Sequence, residues 1–267
     1  MALKKNKIEK RNLSWYGWRP DLPDFRDLIF KPLGKTLKAL PASVDLTKFC
    51  PPVYDQGQLG SCTANAIGGA IEFGLKKENP KYDFMPSRLF IYYNERVIEG
   101  TVNIDNGAEI RNGIKSVNKQ GVCPENLWKY NDGKTVFKKK PTPGCYKDAL
   151  NHQVLSYHRI DRNLSHMKGC LSEGFPFVFG FTVYDAFESE AVAKTGVLNM
   201  PTTTEKVVGG HAVVCVGYDD ASQRFIVRNS WNTDWGKKGY FTIPYEYLTN
   251  SNLADDMWTI RLVEVQS

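Results

Sequence analysis

Four residues far apart in the chain have the types that thiol chemistry needs. Cys62 closes the stretch Gln-Gly-Gln-Leu-Gly-Ser-Cys at 56–62, where Gly57 and Gly60 permit tight backbone geometry and Ser61 can cap a helix. From Thr63 the run Ala-Asn-Ala-Ile-Gly-Gly-Ala-Ile-Glu-Phe-Gly-Leu reads as a buried helix, so Cys62 falls in its first turn. A thiol there feels the positive end of the helix dipole and unpaired backbone N–H groups, which favour the nucleophilic thiolate. A nucleophile also needs a base, an orienter for that base, and donors for a developing oxyanion. His211 opens the apolar run His-Ala-Val-Val-Cys-Val-Gly-Tyr and can serve as base. Asn229, at the end of a strand expected over 224–229, offers a carbonyl to hold the imidazole. Gln56 offers a side-chain amide that can act beside the backbone N–H of Cys62.

These residues sit in longer blocks: 56–62 as above, Gly-His-Ala-Val at 210–213, Asn-Ser-Trp-Asn-Thr-Asp-Trp-Gly-Lys-Lys-Gly-Tyr at 229–240, and Leu-Pro-Ala-Ser-Val-Asp at 40–45. In them the chain resembles the papain-family cysteine proteases over roughly residues 40–262. The histidine follows the cysteine by about 150 residues, near the offset of the papain and cathepsin cysteine. The resemblance implies a cysteine endopeptidase of the two-lobe α+β fold, closer to bacterial or large-virus forms than to lysosomal cathepsins. Cys62 would be nucleophile, His211 base, Asn229 orienter and Gln56 oxyanion donor. It also implies that Trp231 shields the His–Asn hydrogen bond and that Gly107 leaves open backbone for an extended substrate. Ala212 would flank the specificity pocket, and Trp235, mainly structural, would touch the leaving-group side. The chain departs from the family pattern at Leu59, where a cysteine is usual, and at Thr63, where an aromatic is usual, so the family's first disulfide cannot form. Gly210 precedes the histidine in place of an acidic residue or Asn, and Asp105-Asn106-Gly107 only partly matches the paired glycines.

With 42% hydrophobic and 12% aromatic residues in 267, the chain can bury a sizeable core as one domain or two lobes. The balance of 35 basic to 29 acidic residues is too mild for a nucleic-acid tail, and Lys138-Lys139-Lys140 reads as a solvated face. No stretch approaches the ~18 apolar residues of a membrane span. The basic N-terminus lacks the apolar segment of a secretory signal, so the expected location is cytoplasmic or otherwise non-secretory. The expected state is a monomer acting on polypeptides, with no nucleic-acid or membrane partner, no cofactor and no metal. Of the cysteines other than Cys62, Cys170 and Cys215 read as buried apolar residues, whereas Cys123 and Cys145 bracket a loop and could pair.

The elements that must position the site divide the chain. Helices are expected over 63–77, 86–99 and 108–119, forming one lobe. A short helix at 167–173 and strands at 154–159, 177–183, 211–218, 224–229, 239–244 and 257–265 form the other, an antiparallel, barrel-like sheet. A cleft between the lobes would carry Cys62 on one wall and His211 on the other. His152, His158 and His166 read as surface residues.

Residues 1–39 differ in composition from the peptidase domain expected over 40–267. Trp15, Trp18 and Phe25 need burial, worth ~1.5–3 kcal/mol each, in a segment too irregular to make its own core. The segment reads as an extended prosegment or strap. The cleft is its favoured place, since an extended Pro-rich strand suits a groove shaped for an extended substrate, and a run along the back of the lobes is the alternative. In the first case the chain is a zymogen. Two other functions compete with proteolysis: a catalytically silent papain-like module that binds peptides, and an acyltransferase or deconjugating enzyme using the same thiol.

Overall fold

A computed structural model describes residues 16–78, 81 and 84–264, and Trp15 lies outside them. The helical lobe is built on α2, Cys62–Glu78, whose small residues and apolar side chains are buried on nearly every face. That uniform burial has a cause: α2 packs on two further helices on one side and on the sheet on the other. Helix α3 spans Arg88–Glu99, beginning two residues later than the apolar pattern because the Ser87 hydroxyl caps it, accepting from the Phe90 N–H at 3.2 Å. It ends at Gly100 in the left-handed region. Helix α4, Ile110–Gln120, closes at Gly121.

The other lobe is one sheet. Its strands are β1 Ile29–Phe30, β2 Ser43–Asp45, β3 Val154–Ile160, β4 Phe177–Tyr184, β5 Val207–Asp219, β6 Arg224–Arg228, β7 Tyr240–Pro244 and β8 Ala254–Val263. They run in the order β1-β3-β8-β4-β5-β6-β7, with β2 added to β5. The sheet is therefore an open, mixed one rather than a closed antiparallel barrel, because β1 joins β3 in parallel at one edge. Strand β5 begins four residues before the apolar run that opens at His211, so the histidine stands inside the strand rather than at its start. His158 lies on β3, and His152, His158 and His166 are all half-buried. Helix α6, Leu164–Ser172, covers the expected short helix. Three other short helices, α5 Pro143–Ala149, α7 Glu190–Thr195 and α8 Tyr245–Thr249, give no periodic signal at five to seven residues.

Both places considered for residues 1–39 are used. Residues 28–39 run along the sheet edge as β1 and the short helix α1, Gly34–Lys38, with Pro32 against Gly169 of α6. Residues 16–21 instead cross the face between the lobes, where Tyr16, Trp18 and Asp21 are buried. Phe25 breaks the expectation of burial: it is 99% exposed at the tip of the turn joining the two runs.

Arg88 is one of the side chains that fasten the loop after α4 to α3. Arg88 donates to Glu125 at 2.5 Å, to the Asp55 carbonyl and to Asn65 Oδ1, each at 3.1 Å, with Tyr54 and Tyr130 against its guanidinium. Removing one partner of a buried pair leaves an uncompensated charge. Arg88→Ala should therefore cost about 3 kcal/mol, read as a lower urea midpoint at unchanged slope. A midpoint equal to that of the parent would show that the network adds nothing.

Candidate active site

Cys62 is the first residue of α2 and is fully buried. Hydrogen bonds from the backbone of Ala212, Gly17 and Thr63 reach its sulfur, so this thiol touches the β lobe one residue from His211. The helix terminus favours a thiolate, but burial is the larger effect. It pushes the Cys62 thiol up to about 12, against those three hydrogen bonds. In this covered state burial favours the neutral thiol and opposes the thiolate that the helix position favours.

His211 sits opposite Phe181 in the β4–β5 pairing and is fully buried. Its Nε2 lies 2.9 Å from Asn229 Oδ1, so the ring presents its N–H to the amide carbonyl and is held at that edge. Asn229 follows β6 directly and its oxygen also accepts the Ser230 N–H at 2.8 Å. Trp231 covers the pair, its ring centroid 4.9 Å from that of His211 at 33°. Phe187 and Trp235 stack behind Trp231 at 5.1 and 5.2 Å. Trp235 is thus part of a buried aromatic cluster.

Gln56 is fully buried on the other side of the nucleophile. Its Oε1 accepts from the Ser230 hydroxyl at 2.6 Å and its Nε2 donates to the Leu59 carbonyl at 3.0 Å. The amide is therefore oriented by its carbonyl end, fixing where the nitrogen points. The Tyr130 hydroxyl meets the Gln56 carbonyl at 2.8 Å and Ser61 Oγ at 2.6 Å, and Asp105 accepts from the Gly60 N–H at 3.1 Å. Ser61 thus bonds Tyr130 and Asn65. Tyr130 and Arg88 have no sequence signal, being distant from every motif, whereas Asp105 stands two residues before Gly107. Ser230 stands within Asn-Ser-Trp and could have been singled out as a partner for the glutamine.

The cleft between these walls is filled by residues 16–21. The Gly17 carbonyl accepts the Ala108 N–H at 2.7 Å and the Arg19 N–H donates to the Ala108 carbonyl at 3.1 Å, a parallel bridge centred on Trp18. A Cβ on Gly17 would lie 1.7 Å from the Gly60 carbonyl oxygen, and one on Gly107 would lie 1.9 Å from that of Gly17. Gly107, at φ +72°, therefore borders the backbone that covers Cys62. The Trp18 indole fills a slot over Gly180 and Gly210, where added Cβ atoms would meet it at 1.9 and 2.8 Å. Gly210, an unusual residue before the histidine, is required by this close approach. The Trp18 Nε1–H donates to Asp256 Oδ2 at 3.0 Å, and Tyr16 stands edge-on to His211 and Trp231. Asp21 accepts from Trp258 Nε1 at 2.9 Å, and Arg159 lies 3.0 Å from Asp256. Burial, with the adjacent Asp21 carboxyl, pushes Asp256 up to about 7.

Residues 40–259 match the papain family cysteine protease model. The chain belongs to that family and is a cysteine peptidase, a hydrolase. It is 42% identical over 272 residues to an uncharacterized peptidase C1-like protein of Acanthamoeba polyphaga mimivirus, covering 93% of this chain and 87% of the viral one. Among solved structures it is similar to xylellain, a cysteine protease from Xylella fastidiosa, with a TM-score of 0.89 and 46% identity over 97% of this chain and 99% of that one. A procathepsin B from Trypanosoma congolense shares the fold at 18% identity and a TM-score of 0.76, covering 95% of this chain and 88% of that one. No helix among the described residues is long and apolar enough to cross a membrane.

The slot over Gly180 and Gly210 seats Trp18, the residue next to the Gly17 backbone that lies against Cys62. A methyl at position 180 overpacks that slot, which costs ~1–3 kcal/mol. Gly180→Ala should raise the alkylation rate of Cys62 in the folded protein roughly 5- to 100-fold, measured by mass spectrometry of the labelled peptide. An unchanged rate would mean that Trp18 does not control access.

Proposed function

We propose that the chain is a latent cysteine endopeptidase in which Cys62, His211, Asn229 and Gln56 carry out peptide hydrolysis once residues 16–21 leave the cleft. The observation that carries the latency is the placement of Gly17 against Cys62, between Gly60 and Gly107. An extended polypeptide then takes the place of the strap, with Gly107 and Ala212 bordering its backbone and Trp235 supporting the leaving-group side through Trp231. Uncovering the thiol removes the burial that keeps it neutral, and the helix terminus and His211 then favour the thiolate. The thiolate attacks the substrate carbonyl carbon, and the oxyanion is held by the Cys62 N–H and the Gln56 amide. His211 protonates the leaving amine, giving an acyl-enzyme. The same ring then takes a proton from water, which attacks the thioester and frees Cys62. Asn229 keeps the imidazole in the tautomer and orientation that both transfers need.

The functional boundary on this reading falls near residue 27 rather than at 39. Residues 28–39 contribute β1 and the contact with α6, so they belong to the folded peptidase.

Three measurements test the proposal. Cys62→Ala should abolish hydrolysis and thiol-probe labelling without changing the fold, and retained turnover would remove the cysteine from the chemistry. Gln56→Ala should keep labelling while lowering turnover on the order of 100-fold, as for a single oxyanion donor. In the full chain, Trp18→Ala deletes a buried anchor worth about 3 kcal/mol. Its initial rate on a mixed peptide library should rise by roughly 100-fold over the parent. Equal initial rates for parent and variant would contradict latency.

A further inference from the structure

Away from the cleft, two cysteines that the peptidase chemistry does not use lie in contact. Cys123 follows α4 and Cys145 lies in α5, and the two side chains are neighbours close enough to interact. Both are buried, and Cys145 also meets Thr142 Oγ1 at 3.2 Å. Cys145 also donates to the Leu127 carbonyl at 3.7 Å, as Cys170 does to that of Phe175 at 3.4 Å and Cys215 to that of Gly217 at 3.7 Å. Burial and the neighbouring Cys145 raise the Cys123 thiol. Cys145, 2% exposed, borders an open depression of about 430 Å³ with Leu127, Thr142 and Gly144, which puts it nearer to solvent than the fully buried Cys123.

We propose that Cys123 and Cys145 are a redox site, forming a reversible disulfide that clasps residues 124–144 to the helical lobe. A small-molecule disulfide such as oxidised glutathione is the oxidant. The Cys145 thiolate attacks one of its sulfurs, breaking that S–S bond and releasing the first glutathione thiolate. Cys123 then gives its proton to solvent and attacks the Cys145 sulfur, forming the protein disulfide and releasing the second glutathione. Two protein thiols are oxidised and one glutathione disulfide is reduced to two thiols.

The clasp acts on the wall of the candidate site. The enclosed loop carries Glu125, which pairs with Arg88, and Trp128, whose carbonyl accepts from the Ser87 hydroxyl at 2.6 Å. It also carries Tyr130 against Gln56 and Ser61, and Asp132, which accepts from the Gln58 N–H at 3.1 Å. Closing this loop covalently removes freedom from the unfolded chain and holds those contacts together.

The test uses the full chain carrying Cys62→Ala, so that the cleft thiol does not react. The protein is oxidised with a glutathione redox couple both as folded protein and during refolding from denaturant. The expected product is two hydrogens lighter and gives a linked peptide pair containing Cys123 and Cys145. Its thermal midpoint should exceed that of the reduced form by on the order of 5–10 °C, and adding Cys145→Ser should remove the difference. Absence of the linked pair under both conditions, linkage of other cysteines instead, or linkage with no rise in the midpoint would each overturn the proposal.

Discussion

The approach of one backbone to two others governs the covered site. Gly17 lies between Gly60 and Gly107 at distances that leave no room for a Cβ on Gly17 or Gly107. Because the backbone fits there, Cys62 is removed from water, and burial outweighs the helix terminus in setting its protonation. Trp18 and Tyr16 follow from the same placement, since the residues on either side of Gly17 must enter the slot over Gly180 and the space beside His211. Asp21 then continues the line into the network of Trp258, Arg111 and Arg159.

Two rigid supports make this arrangement possible. On the β side, β4 and β5 hold His211 opposite Phe181, with Asn229 at the end of the adjacent β6. On the helical side, Arg88, Tyr130 and Asp105 fix the loop of residues 55–61, and Ser230 reaches across to orient the Gln56 amide. Ser230 and Asn229 are sequence neighbours serving opposite ends of the site. Their adjacency couples the orientation of the base to that of the amide.

The family, the two-lobe fold and the long elements were legible in the residues. Helices α2, α3 and α4 and strands β3 to β7 follow their apolar periods to within a few residues, because burial of one face is what the pattern encodes. The parallel edge was not: a two-residue strand has no period, and only the path of residues 28–39 decides that the sheet gains it. Phe25 shows the same limit. Composition says that an aromatic residue gains from burial, while its exposure follows from its place at a turn between two anchored runs. For the site, Cys62 and Gly107 of the motif residues border the strap, but the burial of the thiol could not be foreseen from its motif, since it depends on a segment more than forty residues upstream.

The central claim is that the strap keeps Cys62 protonated by burying it. The most direct measurement is the ultraviolet thiolate absorbance of the intact chain minus that of Cys62→Ala, followed across pH before and after the strap is detached by limited proteolysis in the exposed turn around Phe25. The account requires no Cys62 thiolate at neutral pH while the cleft is covered, and its appearance at neutral pH once the segment has left. A thiolate signal at neutral pH in the intact chain, with residues 16–21 still bound, would contradict it.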